Sequence, residues 1–472
     1  MKIITLTLTS LLAALPLATQ ADSLGRVYEL ALENDYEFQR AKAIYAADSE
    51  LPTIARAELL PEIKADYMFR SASEDSTTRQ LVTPAQGGLL ETDFALERDV
   101  DDQGWLLRLD QPIFDAPAWY GYQQGKSAAL VAEAIYANAG QELLLRVLGA
   151  YLDVLRAQDD LAAARAQERA FASQLTQTTK RFETGLIAVT DVAESQSAYD
   201  LAVVRTIEEE NKVEVALEAL SNITGEEHSV INILREDFNP TAPEPNNVMD
   251  WAQAASGDNL QLLAARHTKA AAQDKQKAAR WQHAPTLKLG VFASNLDTSG
   301  TVDSNIDSPF ILSPDQNVDS LGIELRLEIP LYEGGATSAN RRRAEHQYQA
   351  SRDLVSETDR RVVTEARQLF LTVKSDLTRI EGRRQAILSA KGALDAADAG
   401  YNIGTRNIID VLNAQNTLFS AERDYANSRY DYIENSFRLR AVGARLRSGD
   451  LYRLDAFLYP PSTQQAGQRN VR

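Results

Sequence analysis

The chain has 472 residues, no cysteine, and 67 Asp and Glu against 49 Lys and Arg, for a formal net charge of −18 at pH 7. Lacking cysteine, it carries neither a disulfide nor a lipid on an N-terminal thiol, and its acidity argues against nucleic acid and anionic membrane surfaces as partners. Beyond the N-terminus no run of about 18 apolar residues occurs, so no helix is expected to span a bilayer and any membrane-embedded part must be β.

At the N-terminus, Lys2 precedes an apolar run from Ile3 to Leu17, and Thr19-Gln20-Ala21 places small residues at −3 and −1 of a cleavage point before Asp22. That is the pattern of a secretory signal peptide over residues 1–21. Its removal takes away Lys2 and moves the net charge from −18 to −19.

Proline breaks helix interiors, and none of the fifteen prolines lies between Pro117 and Pro240 or between Pro330 and Pro460. Both intervals are rich in Ala, Leu, Gln, Glu and Arg, which favour helix. They predict helices from about Trp119 to Glu183 and from about Thr337 to Asn402, each ~65 residues and roughly 100 Å long. Leu143, Leu144, Val147, Leu148, Tyr151, Leu152 and Leu155 form an apolar face wider than a single heptad seam, so the first of these helices should pack on both flanks. Shorter helices are expected over Asp22 to about Arg56, Asp191 to about Ser221, Val248 to about Trp281 and Asn407 to about Leu446. In each half, two short helices end to end can lie antiparallel to one long one.

Four segments between the helices alternate with the period of two that marks a strand. They run over Ile63–Arg70, Trp105–Asp110, Leu287–Ala293 and Leu321–Ile329; in the last, Leu321, Ile323, Leu325, Leu327 and Ile329 alternate with Gly322, Glu324, Arg326 and Glu328. In a soluble sheet the apolar face is the core side; in a membrane barrel it meets lipid and the charged face lines the lumen. Polar segments, Ser71–Gly104 and Ser294–Ser320, join the strands of each pair and are expected as long loops. Four strands cannot close a barrel, and an open edge cannot face lipid, so a membrane sheet of this kind requires oligomerisation. Eight strands from a dimer, twelve from a trimer and sixteen from a tetramer all remain possible on this ground.

The chain is also a duplication. Gly185, Asp191, Val192 and Gln196 recur 219 positions later as Gly404, Asp410, Val411 and Gln415, without a gap. Each copy reads as a helix ended by glycine, a short turn, and a second helix with an acid in its first turn.

Gln177-Thr-Thr-Lys-Arg-Phe182 with Gly185-Leu-Ile-Ala-Val-Thr-Asp-Val192, Leu327-Glu-Ile-Pro-Leu-Tyr-Glu-Gly-Gly335, and Gly400-Tyr-Asn-Ile-Gly-Thr-Arg406 with Ile409-Asp-Val-Leu412 resemble the TolC family of outer-membrane channel-tunnels. The resemblance runs from Leu24-Gly-Arg-Val-Tyr28 to about Leu454. It implies a mainly α fold with a transmembrane β part: a homotrimer whose twelve strands, four per chain, form one barrel in outer-membrane lipid, continued by a long α-helical barrel across the periplasm. Residues 22–62, 113–285 and 330–458 would form the periplasmic α-barrel and equatorial domain, in two repeats of about 22–230 and 248–450, with an equatorial belt near 225–247 and 447–458. Residues 63–112 and 286–329 would be barrel strands with extracellular loops, and 459–472 a flexible tail. The same resemblance implies recruitment by an inner-membrane transporter and a periplasmic adaptor, for export of drugs, toxins or proteins.

Carried over from the family, Tyr401 would bond Asp191, and Arg406 would bond Thr190 and an Asp191 of the same or adjacent protomer, as a latch on the periplasmic end. Phenol and guanidinium donate and carboxylate accepts, which suits that chemistry. The family's lumen ring uses two Asp three positions apart. Here the first is Asp410 but the second position is Asn413, so three carboxylates rather than six would line the constriction and polyvalent cations should block it less tightly. On residues alone, Asp410 is an ordinary first-turn acid favoured by the helix dipole, and Arg341-Arg342-Arg343 reads as a solvated helix start.

No catalytic, cofactor or metal site is expected, since His228, His267, His283 and His346 show no zinc spacing and no Gly-x-Ser-x-Gly or phosphate loop occurs. The alternative to a channel is a structural or adaptor-like periplasmic coiled-coil protein, which would not need four amphipathic strands.

Overall fold

The computed structural model describes residues 21–83, 87–305 and 314–461. All but the last residue of the expected signal peptide, and residues 462–472 of the expected tail, lie outside these. Two compact units result, one of Met1–Ala46, Ala132–Ala265 and Val355–Arg472, the other of Ala47–Val131 and Arg266–Leu354.

The proline-free intervals become α4 (Ala116–Glu183) and α8 (Ala336–Asn402), of 68 and 67 residues. The shorter helices differ from expectation at their interruptions. Three helices, α1 (Leu24–Asn34), α2 (Tyr36–Asp48) and α3 (Leu51–Ala57), stand where one was expected. Asp35 causes the first break: its carboxylate accepts from Phe38 N–H at 2.7 Å, an N-cap that competes with continuation of the helix. Pro52, in the first turn of α3, accompanies the second. The second half repeats the device, because Asn259 separates α6 (Val248–Asp258) from α7 (Leu260–Trp281) by accepting from Gln261 and Leu262 N–H at 3.0 and 3.2 Å. The remaining long helices are α5 (Val189–Thr224) and α9 (Ile408–Val442), and α9 stops short of Leu446 at Gly443, before the unexpected α10 (Ser448–Asp455).

The first unit is built on the wide apolar face of α4. Leu143, Leu148, Tyr151, Leu152 and Leu155 are fully buried there against α1, α9 and α10, among them Leu24, Ile433, Phe437 and Leu451. At its centre the Tyr151 hydroxyl donates to Asn232 O at 2.7 Å and lies 3.3 Å from Asp22 O. Burial, the largest cause, pushes this phenol well above its ordinary pKa, with Asp455 and Asp22 adding to it and the bond to Asn232 opposing. Around it, Asp22 N–H donates to Val230 O at 2.9 Å, and β3 (Ile233–Leu234) pairs antiparallel with β6 (Leu458–Tyr459). Tyr459, placed in the flexible tail by the sequence, is thus a strand residue.

In the second unit β1 (Glu62–Val82), β2 (Leu90–Phe114), β4 (Thr286–Ser304) and β5 (Gln316–Glu328) form an antiparallel sheet in that order. Its register aligns the apolar residues in rows across the strands, Ile63–Leu109–Val291–Ile323 and Ala65–Leu107–Ala293–Leu321. That face is left open in a single chain: Leu321 is 82% exposed, Ile323 77% and Tyr67 73%. On the other face Arg108 meets Asp110 at 3.0 Å and Glu324 at 3.6 Å, and Arg326 meets Glu324 at 2.6 Å.

The expected loops Ser71–Gly104 and Ser294–Ser320 are mostly strand. Pairing continues without interruption from Ser71↔Asp101 to Val82↔Leu90, and from Ser294↔Ser320 to Thr298↔Gln316. Polar residues occupy both faces of this extension, so no apolar alternation marks it. Cross-strand ion pairs hold it instead, Arg70 with Asp102 at 2.9 Å and Arg79 with Asp93 at 2.8 Å.

Replacing Tyr151 by Phe keeps the ring and leaves the Asn232 carbonyl without its buried donor, at a cost of roughly 1–3 kcal/mol. Detergent-solubilised Tyr151→Phe should unfold at a lower temperature than the parent in a circular-dichroism melt, whereas Tyr36→Phe, at an 89% exposed position, should not.

Candidate gate at the two hairpin tips

The duplicated stretch closes both αα-hairpins of the first unit with one turn geometry. At the end of α4, Gly185 N–H donates to Phe182 O at 2.8 Å and Leu186 N–H to Arg181 O at 2.9 Å. At the end of α8, Gly404 N–H donates to Tyr401 O at 3.1 Å and Thr405 N–H to Gly400 O at 2.9 Å, the same two bonds displaced by 219 positions. Both glycines take the left-handed conformation this helix ending requires, with φ of +75° and +78°.

The copies diverge where the second helix of each hairpin starts. Asn407 caps α9 in a reciprocal box: its side chain accepts from Asp410 N–H at 2.9 Å, and the Asp410 carboxylate accepts from Asn407 N–H at 3.3 Å. Ala188 occupies the matching position of α5 and offers no side-chain cap. Asp410 is therefore, at the least, a helix-capping acid, and one of its oxygens suffices for that task. Asn413, one turn further on, is exposed and lines a groove of about 790 Å³ with Phe171, Leu201, Ile409 and Leu412.

Beneath the tips a small core of Phe171, Ala202, Tyr401, Ile408, Val411 and Leu412 joins the two hairpins. Tyr401 is 7% exposed, and among the described residues its hydroxyl has no hydrogen-bond partner. The Arg181 guanidinium lies over its ring, 4.8 Å from the centroid. Burial, the largest cause, pushes the Tyr401 phenol up; Arg181 pulls it down and Asp191 pushes it up again, which places both charges in its surroundings. Thr190 Oγ1 lies 3.4 Å from its neighbour Asp191. The structure thus brings Tyr401 and Asp191 into one cluster without a hydrogen bond between them. Arg406 is exposed, and within the chain its side chain reaches neither Thr190 nor Asp191. Sequence reasoning passed over Arg181 and Asn407. A comparison of the copies would have found both, because Arg181 aligns with Gly400 and Asn407 with Ala188.

One arrangement elsewhere has the outline of a nucleophile–base–acid relay. Thr224 Oγ1 lies 2.7 Å from His228 Nε2, and His228 Nδ1 lies 2.8 Å from Asp22 Oδ2. Thr224 is fully buried, and its hydroxyl also lies 3.2 Å from the carbonyls of Leu220 and Glu226, so no substrate reaches it. The relay ties the segment after α5 to residue 22.

Comparison with known proteins agrees with the hairpin duplication. The model of the outer membrane efflux protein family matches twice, at residues 27–226 and 251–444. The chain is 31% identical to the outer membrane protein TolC of Vibrio cholerae over 457 residues, 97% of this chain and 98% of that protein. It is also 31% identical to the alkaline protease secretion protein AprF of Pseudomonas aeruginosa, over 90% of this chain and 85% of that protein. Solved structures of CusC, with a TM-score of 0.72 at 17% identity over 90% of this chain and 92% of that one, and of the outer membrane protein VceC from Vibrio cholerae, 0.68 at 19% over 89% and 96%, share the fold. The chain belongs to the outer membrane efflux protein family, whose members are outer-membrane channels and not enzymes.

Proposed function

We propose that three copies of this chain assemble into an outer-membrane exit duct that serves efflux, type I secretion or both. The observation that carries this is the sheet of the second unit: its outer strands β1 and β5 have one neighbour each, and its apolar face is uncovered. Unpaired backbone groups in hydrocarbon cost several kcal/mol each, so the edges are satisfied only when β5 of one copy pairs with β1 of the next. Three copies give the twelve strands of the family's barrel, with the Arg108–Asp110–Glu324 face lining the lumen and Ser71–Gly104 and Ser294–Ser320 outside the cell. The helical hairpins continue the duct through the periplasm and are engaged there by a periplasmic adaptor and an inner-membrane transporter. The protease-secretion relative makes a protein cargo as reasonable as a drug.

In this reading the resting duct is closed at the hairpin tips. Tyr401 and Asp191 are already clustered, and the exposed Arg406 is free to meet Thr190 and Asp191 of an adjacent copy. A neutral hydrogen bond contributes about 0.5–1.5 kcal/mol net and one to a charged group roughly 1.5–3. Three-fold repetition raises the total to several kcal/mol, enough to keep the open form rare yet within reach of a partner that binds it preferentially. Asp410 supplies the ring of three charges that attracts cations to the entrance, and Asn413 the neutral ring beside it.

The purified particle should have the mass of three chains; two or four would sink the assembly. In planar bilayers, Tyr401→Phe combined with Arg406→Ser should conduct more than the parent while trimer yield stays the same, and a double variant that conducts like the parent would remove the Tyr401 hydroxyl and Arg406 from the latch. Charge and cap separate at Asp410. Asp410→Asn keeps an acceptor for Asn407 N–H and should lower cation preference, whereas Asn407→Ala breaks the cap, costs about 1 kcal/mol locally and should leave selectivity alone. Equal shifts from both would mean that Asp410 acts through the fold of the tip and not through its charge.

A further inference from the structure

The two copies of the repeat exchange an arginine. Arg181 aligns with Gly400, and Ile187 aligns with Arg406, so each hairpin tip carries one arginine in this stretch but on opposite sides of its turn. At the second tip the Arg406 stem packs closely on the space left at Gly400: a Cβ there would sit 3.0 Å from Arg406 Cγ and 3.2 Å from Cδ. The Arg406 stem lies over its own hairpin and its head remains exposed.

Arg181 does the opposite. From the last turn of α4 it crosses to the other hairpin, stacks 4.8 Å over the Tyr401 ring and reaches Asn402 Oδ1 at 3.5 Å. A basic residue here also suits the negative end of the α4 dipole. Lys180, beside it in the same turn, also meets that need, so the dipole alone does not account for the stacking. The ring beneath is almost wholly buried and its hydroxyl is unpartnered among the described residues. Its position is therefore set by what packs on its faces and not by a hydrogen bond.

We infer that Arg181 is a further gate residue, a positioning clamp within one protomer that holds the Tyr401 ring and with it the second hairpin against the first, while Arg406 is left for the neighbouring protomer. The inference rests on the closed-tip reading above. It divides the latch into a stacked contact inside each copy and charged bonds between copies. Opening the end of the duct must break both.

The test uses the full-length trimer in planar bilayers. Loss of a partly desolvated cation–π contact should change the open-to-closed ratio roughly fivefold for each protomer. Arg181→Gln should therefore raise conductance of the resting channel, with the heat stability of the trimer unchanged. Because the clamp acts on the ring, the same substitution should raise conductance further in a Tyr401→Phe background and have no further effect in Tyr401→Leu. Arg181→Lys keeps the charge at the helix end and loses the planar stack, so it should fall between parent and Arg181→Gln. Normal trimers of Arg181→Gln that conduct like the parent overturn the inference. So does an equal rise in Tyr401→Leu, or an Arg181→Lys indistinguishable from the parent. Should Arg181→Gln open the channel while Arg406→Ser is silent, the latch between copies fails and the clamp stands.

Discussion

A β-sheet in hydrocarbon must have no edge. That requirement governs this chain, because its sheet has two edges, one on β1 and one on β5, and an apolar face that is uncovered among the described residues. Among the described residues the strands of the sheet pair in a simple β1-β2-β4-β5 order, and no fifth strand joins either edge. Assembly is thus a condition of folding in the membrane and not an addition to it.

The duplication shows how a symmetric plan acquires a direction. Both hairpins end on the same two turn hydrogen bonds and the same left-handed glycine. They differ in a few side chains: a capping box at Asn407–Asp410 against an uncapped Ala188, and Arg181 against Gly400. These few substitutions make two otherwise identical turns distinguishable: the second is capped at the start of its outgoing helix, and the first sends an arginine across to the second.

Much of this was legible in the sequence, for identifiable reasons. Proline exclusion gave α4 and α8 to within three residues at each end, since one proline in a helix interior outweighs any propensity. Alternation gave the lower parts of all four strands, where one face is apolar. It failed for Ser71–Val82 and Leu90–Gly104, because a ribbon that is polar on both faces carries no period-two signal and is held by ladder bonds and ion pairs that composition does not display. Asp35 and Asn259 broke helices that propensity would have continued, through side-chain caps that depend on local geometry. At the tips the family resemblance pointed to Tyr401, Asp191, Thr190 and Arg406, and within a chain the structure brings the first three together and leaves Arg406 apart. Arg181 escaped notice because its partner is a ring 220 positions away.

The height of the sheet has a consequence of its own. A strand tilted as in membrane barrels crosses the apolar core in about 9–11 residues, yet β1 runs for 21 residues and β2 for 25. The chemistry along the strand changes well before its length ends: the alternating apolar run stops at Phe69, and Arg70 with its pair Asp102 opens the polar extension. Lengthening, shortening or recharging this polar extension would leave the apolar rows below it unchanged, so the two parts of the sheet can vary independently.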